Sequence, residues 1–171
     1  MRLSIGYKNY LRSLQLLYYL SECGVENVII SPGSRSAPLA IAAGELAKKG
    51  IFQIYNSIDE RSAGFHALGI SIASDKPTVV LTTSGTAVAN LLPSAVEADK
   101  SSISVIYISA DRPLRLKNCG ANQTVDQEKF LSPVCRLTEN TCLGGLHLIT
   151  DTELKNLREK IREICNIKSG P

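Results

Sequence analysis

Asp59-Glu60-Arg61 is a cluster with the residue types for acid–base work. An apolar run, Ile51-Phe52-Gln53-Ile54-Tyr55, leads toward it, and a stretch rich in small residues, Ala63 to Ala73, leads away. The carboxylates therefore stand where a strand hands over to a helix. In open α/β sheets ligands bind outside the carboxyl ends of the strands, so a carboxylate there can hold or move a proton on a ligand. The same residues also fit a local role. Ser57-Ile58-Asp59-Glu60 has the S-x-x-E spacing of a capping box, in which serine and glutamate satisfy each other's backbone N–H groups. At this level Glu60 is either the cap or the working acid of a site.

Three further strand ends carry polar or charged loops. They are Ser31-Pro32-Gly33-Ser34-Arg35-Ser36, Thr82-Thr83-Ser84-Gly85-Thr86 and Asp111-Arg112-Pro113. Arg35 and Arg112, joined by Arg115 and Lys117, are either ordinary surface charges or one cationic pocket for an anionic ligand. A guanidinium grips a carboxylate with two parallel hydrogen bonds, which lysine cannot copy. Ser84-Gly85-Thr86 at a helix start suits an anion cradle and equally suits a cap. No G-x-G-x-x-G follows the first strand and no G-x-x-x-x-G-K-[ST] is present, which removes the main support for dinucleotide and P-loop sites. The five cysteines are odd in number and none is spaced C-x-x-C, so neither a disulfide framework nor a zinc site is expected. The two histidines, His66 and His147, are far apart, and His66 among small apolar residues reads as packing.

The elements that must position these residues follow from periodicity. A helix is predicted from Tyr7 to Cys23, closed by Gly24, and then a buried strand over Val25–Ile30. The next turn places Gly33 where positive φ is expected, and Ser36 is expected to cap a helix running to Lys49, with Pro38 in its first turn. A strand over Ile51–Tyr55 precedes the Asp59 helix, which Asp75-Lys76-Pro77 ends. Thr78–Thr82 is a third strand. The Ser84-Gly85-Thr86 helix runs to Ala98 with a kink or break near Pro93, and Ile103–Ser109 is a fourth strand. Leu114–Leu131 has no clean period, Val134–Leu137 is expected as a fifth strand, and Asp151–Cys165 is an amphipathic helix with Leu154, Leu157, Ile161 and Ile164 in one stripe. Strands alternating with helices predict a three-layer α/β/α domain with a mostly parallel sheet.

The bulk numbers agree with one soluble domain: 171 residues, 44% hydrophobic and 20% charged. A net charge of +3 with 5% aromatic residues argues against nucleic acid. No apolar run is long enough for a signal core or a membrane span, so a cytoplasmic protein with no membrane partner is expected.

Five motifs occur in order: Ile30-Ser31-Pro32-Gly33-Ser34-Arg35-Ser36-Ala37-Pro38-Leu39, Asp59-Glu60-Arg61-Ser62-Ala63-Gly64-Phe65, Thr83-Ser84-Gly85-Thr86-Ala87, Ala110-Asp111-Arg112-Pro113 and Gly120-Ala121-Asn122-Gln123. Together they resemble the N-terminal, pyrimidine-binding domain of the 2-succinyl-5-enolpyruvyl-6-hydroxy-3-cyclohexene-1-carboxylate synthase family, over the chain up to Gln127. These are thiamine-diphosphate enzymes of menaquinone synthesis. The resemblance implies the thiamine-diphosphate-binding fold and a reaction that decarboxylates 2-oxoglutarate and adds the succinyl carbanion to isochorismate. It implies that Glu60 hydrogen-bonds the aminopyrimidine ring of the cofactor, that Ser84, Gly85 and Thr86 lie at the cofactor, and that Ser34, Arg35, Arg112 and Gln123, with Asn122 beside them, line the site of the anionic substrates.

The sequence departs from the family in three ways. His66 stands where the family usually has an apolar residue, in keeping with a packing role. Arg115 stands where the family usually has glutamate, reversing a charge at the mouth of the loop. The G-D-G motif that marks Mg²⁺ (or Mn²⁺) binding in this class is absent from the 171 residues. Residues 1–171 are therefore expected to be the pyrimidine-binding domain of a longer enzyme, inactive alone, with the metal on another domain and with at least two subunits. The alternatives are the same domain of an acetolactate-synthase-type enzyme, against which Arg35 and the Gly120–Gln123 loop count, and a non-catalytic α/β ligand-binding module.

Overall fold

Four short strands form the sheet: Asn27–Ile30 (β1) and Thr78–Thr82 (β3), apolar and largely buried, and Gln53–Asn56 (β2) and Val105–Ser109 (β4), which are more open. A computed structural model, describing residues 3–140 and 144–166, pairs them in the order β2-β1-β3-β4, every pair parallel. Parallel neighbours need crossovers, and the chain supplies helices for them. In chain order these are Ile5–Glu22 (α1), Ala37–Lys48 (α2), Glu60–Ser74 (α3), Thr86–Ala89 (α4), Leu92–Ser101 (α5), Glu128–Leu131 (α6) and Asp151–Asn166 (α7).

Side chains alternate across the sheet, and each face has its own core. Val28, Ile30, Val79 and Leu81 meet Leu16, Leu17 and Leu20 of α1, Ala42, Ala43 and Leu46 of α2 and Leu154 of α7. Ile29 and Val80 meet Ala63, Ala67 and Leu68 of α3 and Leu91, Ala95 and Ala98 around α5. This is the expected three-layer α/β/α architecture. Each fully buried leucine, such as Leu17, Leu20, Leu91 or Leu154, contributes roughly 1.5–3 kcal/mol through removal from water.

Several expectations need correction. Val134–Leu137 is not a strand: the Val134 and Cys135 N–H groups both donate to Leu131 O, at 3.0 and 2.9 Å, so the segment curls off the end of α6. Among the described residues the sheet has four strands and the outer edge of β4 is unpaired. Gly33 has φ −160° and ψ 150°, an extended conformation open to any residue. It is required for space, because a Cβ there would lie 2.4 Å from Thr83 Cβ. Ser36 does not cap α2 with its side chain; its hydroxyl donates back to Gly33 O at 3.0 Å and closes a 3₁₀ turn over Ser34–Ser36. The Pro93 break is real: α4 stops at Ala89, and α5 starts with Pro93 in its first turn. His66 is exposed rather than packed inside, with its ring edge-on to Tyr55 at 5.1 Å between centroids. Arg2, Cys142 and the Ser169-Gly170-Pro171 end lie outside the described residues.

Candidate functional site

The strand order reverses at β1. The chain goes from β1 outward to β2 and then crosses to β3 on the other side, which opens a crevice at the carboxyl ends of β1 and β3. Backbone bonds fix the loops at this edge: Ser31 N–H donates to Leu81 O at 2.8 Å, Ser57 N–H to Ile30 O at 3.0 Å and Ala110 N–H to Thr82 O at 3.1 Å. The Ser31 hydroxyl, itself buried, donates to Ile58 O at 3.2 Å. Loops from four strands are thereby held on one rim.

Glu60 occupies the β2–α3 junction, and it is not the cap. Asp59 is the N-cap, its Oδ2 accepting the Ser62 N–H at 2.7 Å, while the Ser57 hydroxyl donates to Asp59 O at 3.0 Å. The capping box is therefore overturned. Aspartate is among the strongest N-cap residues, and its cap starts the helix two residues later than Ser57 would. The Ser62 hydroxyl and backbone N–H together hold the Asp59 carboxyl below its usual range. Glu60, the first residue of α3, is half-buried, and its Oε2 accepts a hydrogen bond from Asn90 Nδ2 at 3.0 Å. Its Oε1 has no hydrogen-bond partner among the described residues. Beside it Ile58 is 91% exposed, an apolar side chain held in water at the rim.

The β3 end and the loop between residues 111 and 127 form a second, laced region. Gly85 has φ 85°, and its N–H donates to Gln127 Oε1 at 2.9 Å. Ser84 Oγ donates to Gln123 O at 3.2 Å. A Cβ on Gly85 would meet the Gln123 backbone at 3.2 Å, so the two loops touch through their main chains. Two of the donors expected to form an anion cradle are thus engaged inside the domain. Arg112 Nη2 donates to Asn122 O at 2.6 Å, whereas its Nε is buried without a partner among the described residues. Gln123 has φ 55°, in the left-handed region that non-glycine residues occupy at a cost of about 1–2 kcal/mol.

Lys117 lines the same groove as Arg35 and Arg112, but its charge is already paired there. It lies between Asp111 and Glu128, 3.1 Å from a carboxylate oxygen of each. Burial disfavours its ammonium charge, but the hydrogen bonds to Asp111 and Glu128 outweigh this and raise its pKa above the ordinary lysine value. Arg115 is exposed. Arg35 and Arg112 do line one groove, of about 520 Å³, which runs along the unpaired edge of β4 past Ile106, Ile108 and Ile161. Ser34 is exposed at the start of the adjacent 3₁₀ turn, and Asn122 and Gln123 are exposed on the loop. Glu60 is not part of that groove. The rim therefore carries two regions, a carboxylate region at β2–α3 and an arginine region at β1 and β4, with the β3 turn between their strands.

Two residues at this rim are not foreseen from sequence. Asn90 holds Glu60 from the break between α4 and α5, and only the helix interruption ahead of Pro93 hints at its placement. Gln127 is 4% exposed within a stretch whose sequence has no period to read.

A carboxylate with one oxygen anchored and the other open can share a proton with a ring nitrogen, and the exposed apolar Ile58 beside it suits the face of a flat ring. These features fit the pyrimidine part of thiamine diphosphate. Among the described residues there is no group of three or more His, Cys, Asp or Glu side chains placed to hold a metal ion. No helix among them is long and apolar enough to cross a membrane.

Comparison with known proteins gives matches of two kinds. The family model for the thiamine pyrophosphate enzyme, N-terminal TPP binding domain, matches residues 13–130. The chain is 61% identical over 168 residues to the 2-succinyl-5-enolpyruvyl-6-hydroxy-3-cyclohexene-1-carboxylate synthase of Prochlorococcus marinus (strain MIT 9215), covering 98% of this chain and 29% of that protein. For the enzyme of the same name from strain MIT 9301 the identity is 65% over 168 residues, again 98% of this chain and 29% of the relative. For that of Synechococcus sp. (strain WH7803) it is 53% over 158 residues, 92% of this chain and 27% of the relative. The chain thus spans less than a third of the length of the curated relatives it matches.

Proposed function

The chain belongs to the N-terminal TPP binding domain family of thiamine pyrophosphate enzymes, and from that premise we propose that it is the pyrimidine-binding domain of a 2-succinyl-5-enolpyruvyl-6-hydroxy-3-cyclohexene-1-carboxylate synthase. The full-length protein would decarboxylate 2-oxoglutarate and join the four-carbon unit to isochorismate in menaquinone synthesis. The names of the relatives, at 53–65% identity, support this assignment of substrates. The observation that carries the site is the release of Glu60 from capping: Asp59 caps α3, and one Glu60 oxygen remains open at the rim.

Thiamine diphosphate, when bound, supplies the carbanion-stabilising chemistry. What this domain contributes is placement and proton control. Glu60 shares a proton with a pyrimidine nitrogen, and the Asn90 amide fixes the carboxylate so that its open oxygen is the one presented. Ile58 would lie against the ring face, and Ser84, Gly85 and Thr86 would form the neighbouring wall. Arg35 and Arg112 bind the carboxylates of the two anionic substrates, with Ser34, Asn122 and Gln123 completing the polar contacts. Arg112 suits this role because its Nη2 bond to Asn122 O anchors the guanidinium plane within the rim.

Mg²⁺ or Mn²⁺ would neutralise the diphosphate from another domain of the full-length protein. At least two subunits are proposed. In support, α3 has no Asp, Glu, Lys or Arg after Arg61, and its outer side exposes Phe65 and Ile72, a composition suited to a protein neighbour. A cytoplasmic location fits the free thiols of Cys23, Cys119, Cys135 and Cys165.

The test is substrate selection by the full-length enzyme. Supplied with thiamine diphosphate and Mg²⁺, it should release CO₂ from 2-oxoglutarate and form adduct only when isochorismate is present. Turnover of pyruvate instead would transfer the domain to an acetolactate-type enzyme, and no carboligation with any 2-oxo acid would leave a ligand-binding module.

A further inference from the structure

Gln127 ties two strand ends of the rim, those of β3 and β4, to its own loop through a single side chain. It is 4% exposed. Its Oε1 accepts the Gly85 N–H at 2.9 Å from the turn after β3. Its Nε2 donates to Ser109 Oγ at 3.1 Å and to Ala110 O at 2.9 Å, at the end of β4. Every polar atom of the amide is therefore engaged, and every partner belongs to a different stretch of chain from its own. The loop that Gln127 closes carries Arg112, Asn122 and Gln123.

The loop needs such a tie. Gln123 is held at φ 55° and Asn118 at φ 62°, conformations that persist in non-glycine residues only where the surroundings over-determine them. The other restraints are more exposed or single: Ser84 Oγ to Gln123 O at 3.2 Å, Arg112 Nη2 to Asn122 O at 2.6 Å, and Lys117 between Asp111 and Glu128. Gln127 holds Gly85 where its bare Cα lies against the Gln123 backbone; a Cβ on Gly85 would come within 3.2 Å of Gln123 Cα and O. Releasing the Gly85 turn removes the wall on which the strained Gln123 turn rests.

We propose that Gln127 is a positioning residue for the substrate loop: by bridging Gly85, Ser109 and Ala110 it holds Gln123, Asn122 and Arg112 in the arrangement that grips the anionic substrates. Its main effect is on the substrate loop and not on the proton-sharing carboxylate, because Glu60 is held separately by Asn90. This inference rests on the substrate assignment proposed above.

An isosteric substitution gives the sharpest test. Gln127→Glu keeps the shape. As a carboxylate it still accepts from Gly85 but sets a negative oxygen against Ala110 O; as the neutral acid it can donate to Ala110 O and restore the bridge. Gln127→Met removes both polar functions at similar volume. In the full-length enzyme Gln127→Met should raise the KM for the substrates about tenfold, the factor of one buried hydrogen bond converted to binding. Its kcat and its thiamine diphosphate affinity should stay within about twofold of wild type, a margin far inside that factor.

Gln127→Glu should show a similar KM rise near pH 8 and a smaller one as the pH is lowered toward 6, measured against wild type at each pH. The ionisable groups facing this loop, Asp111, Lys117 and Glu128, and the nearby pair Asp126–Lys129, are common to both proteins and cancel in the ratio. Two results would overturn the proposal. One is a wild-type KM in Gln127→Met. The other is parallel loss of kcat, cofactor affinity and melting temperature, with no recovery of Gln127→Glu at lower pH, which would make Gln127 a general structural residue. Failure of the substrate assignment itself would appear in the wild-type enzyme, before any variant is compared.

Discussion

Gly33→Ala measures the closeness of β1 and β3 at the crevice. The added Cβ would lie 2.4 Å from Thr83 Cβ, 2.8 Å from Oγ1 and 2.9 Å from Cγ2. Ordinary carbon contacts are about 3.5–4.0 Å, so the backbone must open by about 1 Å or more. Thr83 cannot yield by rotation, since the nearest atom is its own Cβ. Overpacking of this kind costs about 1–3 kcal/mol. Against it stands a gain of about 0.4–1 kcal/mol from the stiffer unfolded chain, available because φ −160° suits alanine. Taking the middle of each range, the net expectation is a loss of about 1.3 kcal/mol. Gly44→Ala is the control. It lies inside α2 with nothing within 4 Å of its ideal Cβ, so it should stabilise by about 0.5–1 kcal/mol. Urea unfolding midpoints of the two variants should move in opposite directions. In a Thr83→Gly background the Gly33→Ala penalty should vanish, which a double-mutant cycle reads directly. A neutral Gly33→Ala, or a penalty undiminished in the Thr83→Gly background, would refute the packing account of this glycine.

Two further outcomes follow from the rim. Asp59→Ala should lower the melting temperature at pH 7 while Ser57→Ala leaves it unchanged, because Asp59 makes the capping bond to Ser62. Since the folded state holds the Asp59 carboxyl below its usual range, its contribution is full above the unfolded value of about 4 and is lost as pH falls through the folded one. The gap between wild type and Asp59→Ala should therefore narrow in acid, and an equal loss in Ser57→Ala would reinstate the capping box. In the full-length enzyme Arg35→Lys and Arg112→Lys should each lower kcat/KM about tenfold or more with little change in cofactor affinity, because lysine keeps the charge but not the bidentate fork. Unchanged steady-state kinetics in both variants would make these arginines ordinary surface charges.

The parts legible from sequence are those in which one physical signal dominates. Thr78-Val79-Val80-Leu81-Thr82 is β-branched or apolar at every position, and it is the fully buried β3. The Leu154, Leu157, Ile161 stripe marks α7 because charge occupies the rest of its circumference. Legibility fails where two local patterns overlap or where the deciding partner is distant. Ser57–Glu60 fits one cap and Asp59–Ser62 another, and only the folded geometry shows the second being used. Val134–Leu137 has strand-like composition, but the Leu131 carbonyl captures its first two N–H groups. Lys117 reads as a free cation because Glu128, which neutralises it with Asp111, is eleven residues away in a segment without period. Gly33 reads as a turn glycine because its neighbour Thr83 belongs to another strand end.

Glu60→Gln in the full-length enzyme tests the central claim most directly. Asp59 caps the helix, so the substitution should leave the melting temperature nearly unchanged, and the amide oxygen can still accept from Asn90. An amide cannot take up and release the proton that a carboxylate shares with the pyrimidine nitrogen. General acid–base assistance is worth about 10²–10⁴ in rate. Hydrogen–deuterium exchange at the reactive carbon of bound thiamine diphosphate should therefore slow by a factor in that range. Exchange at the wild-type rate, in a variant of wild-type stability, would contradict the assignment of Glu60 to the cofactor.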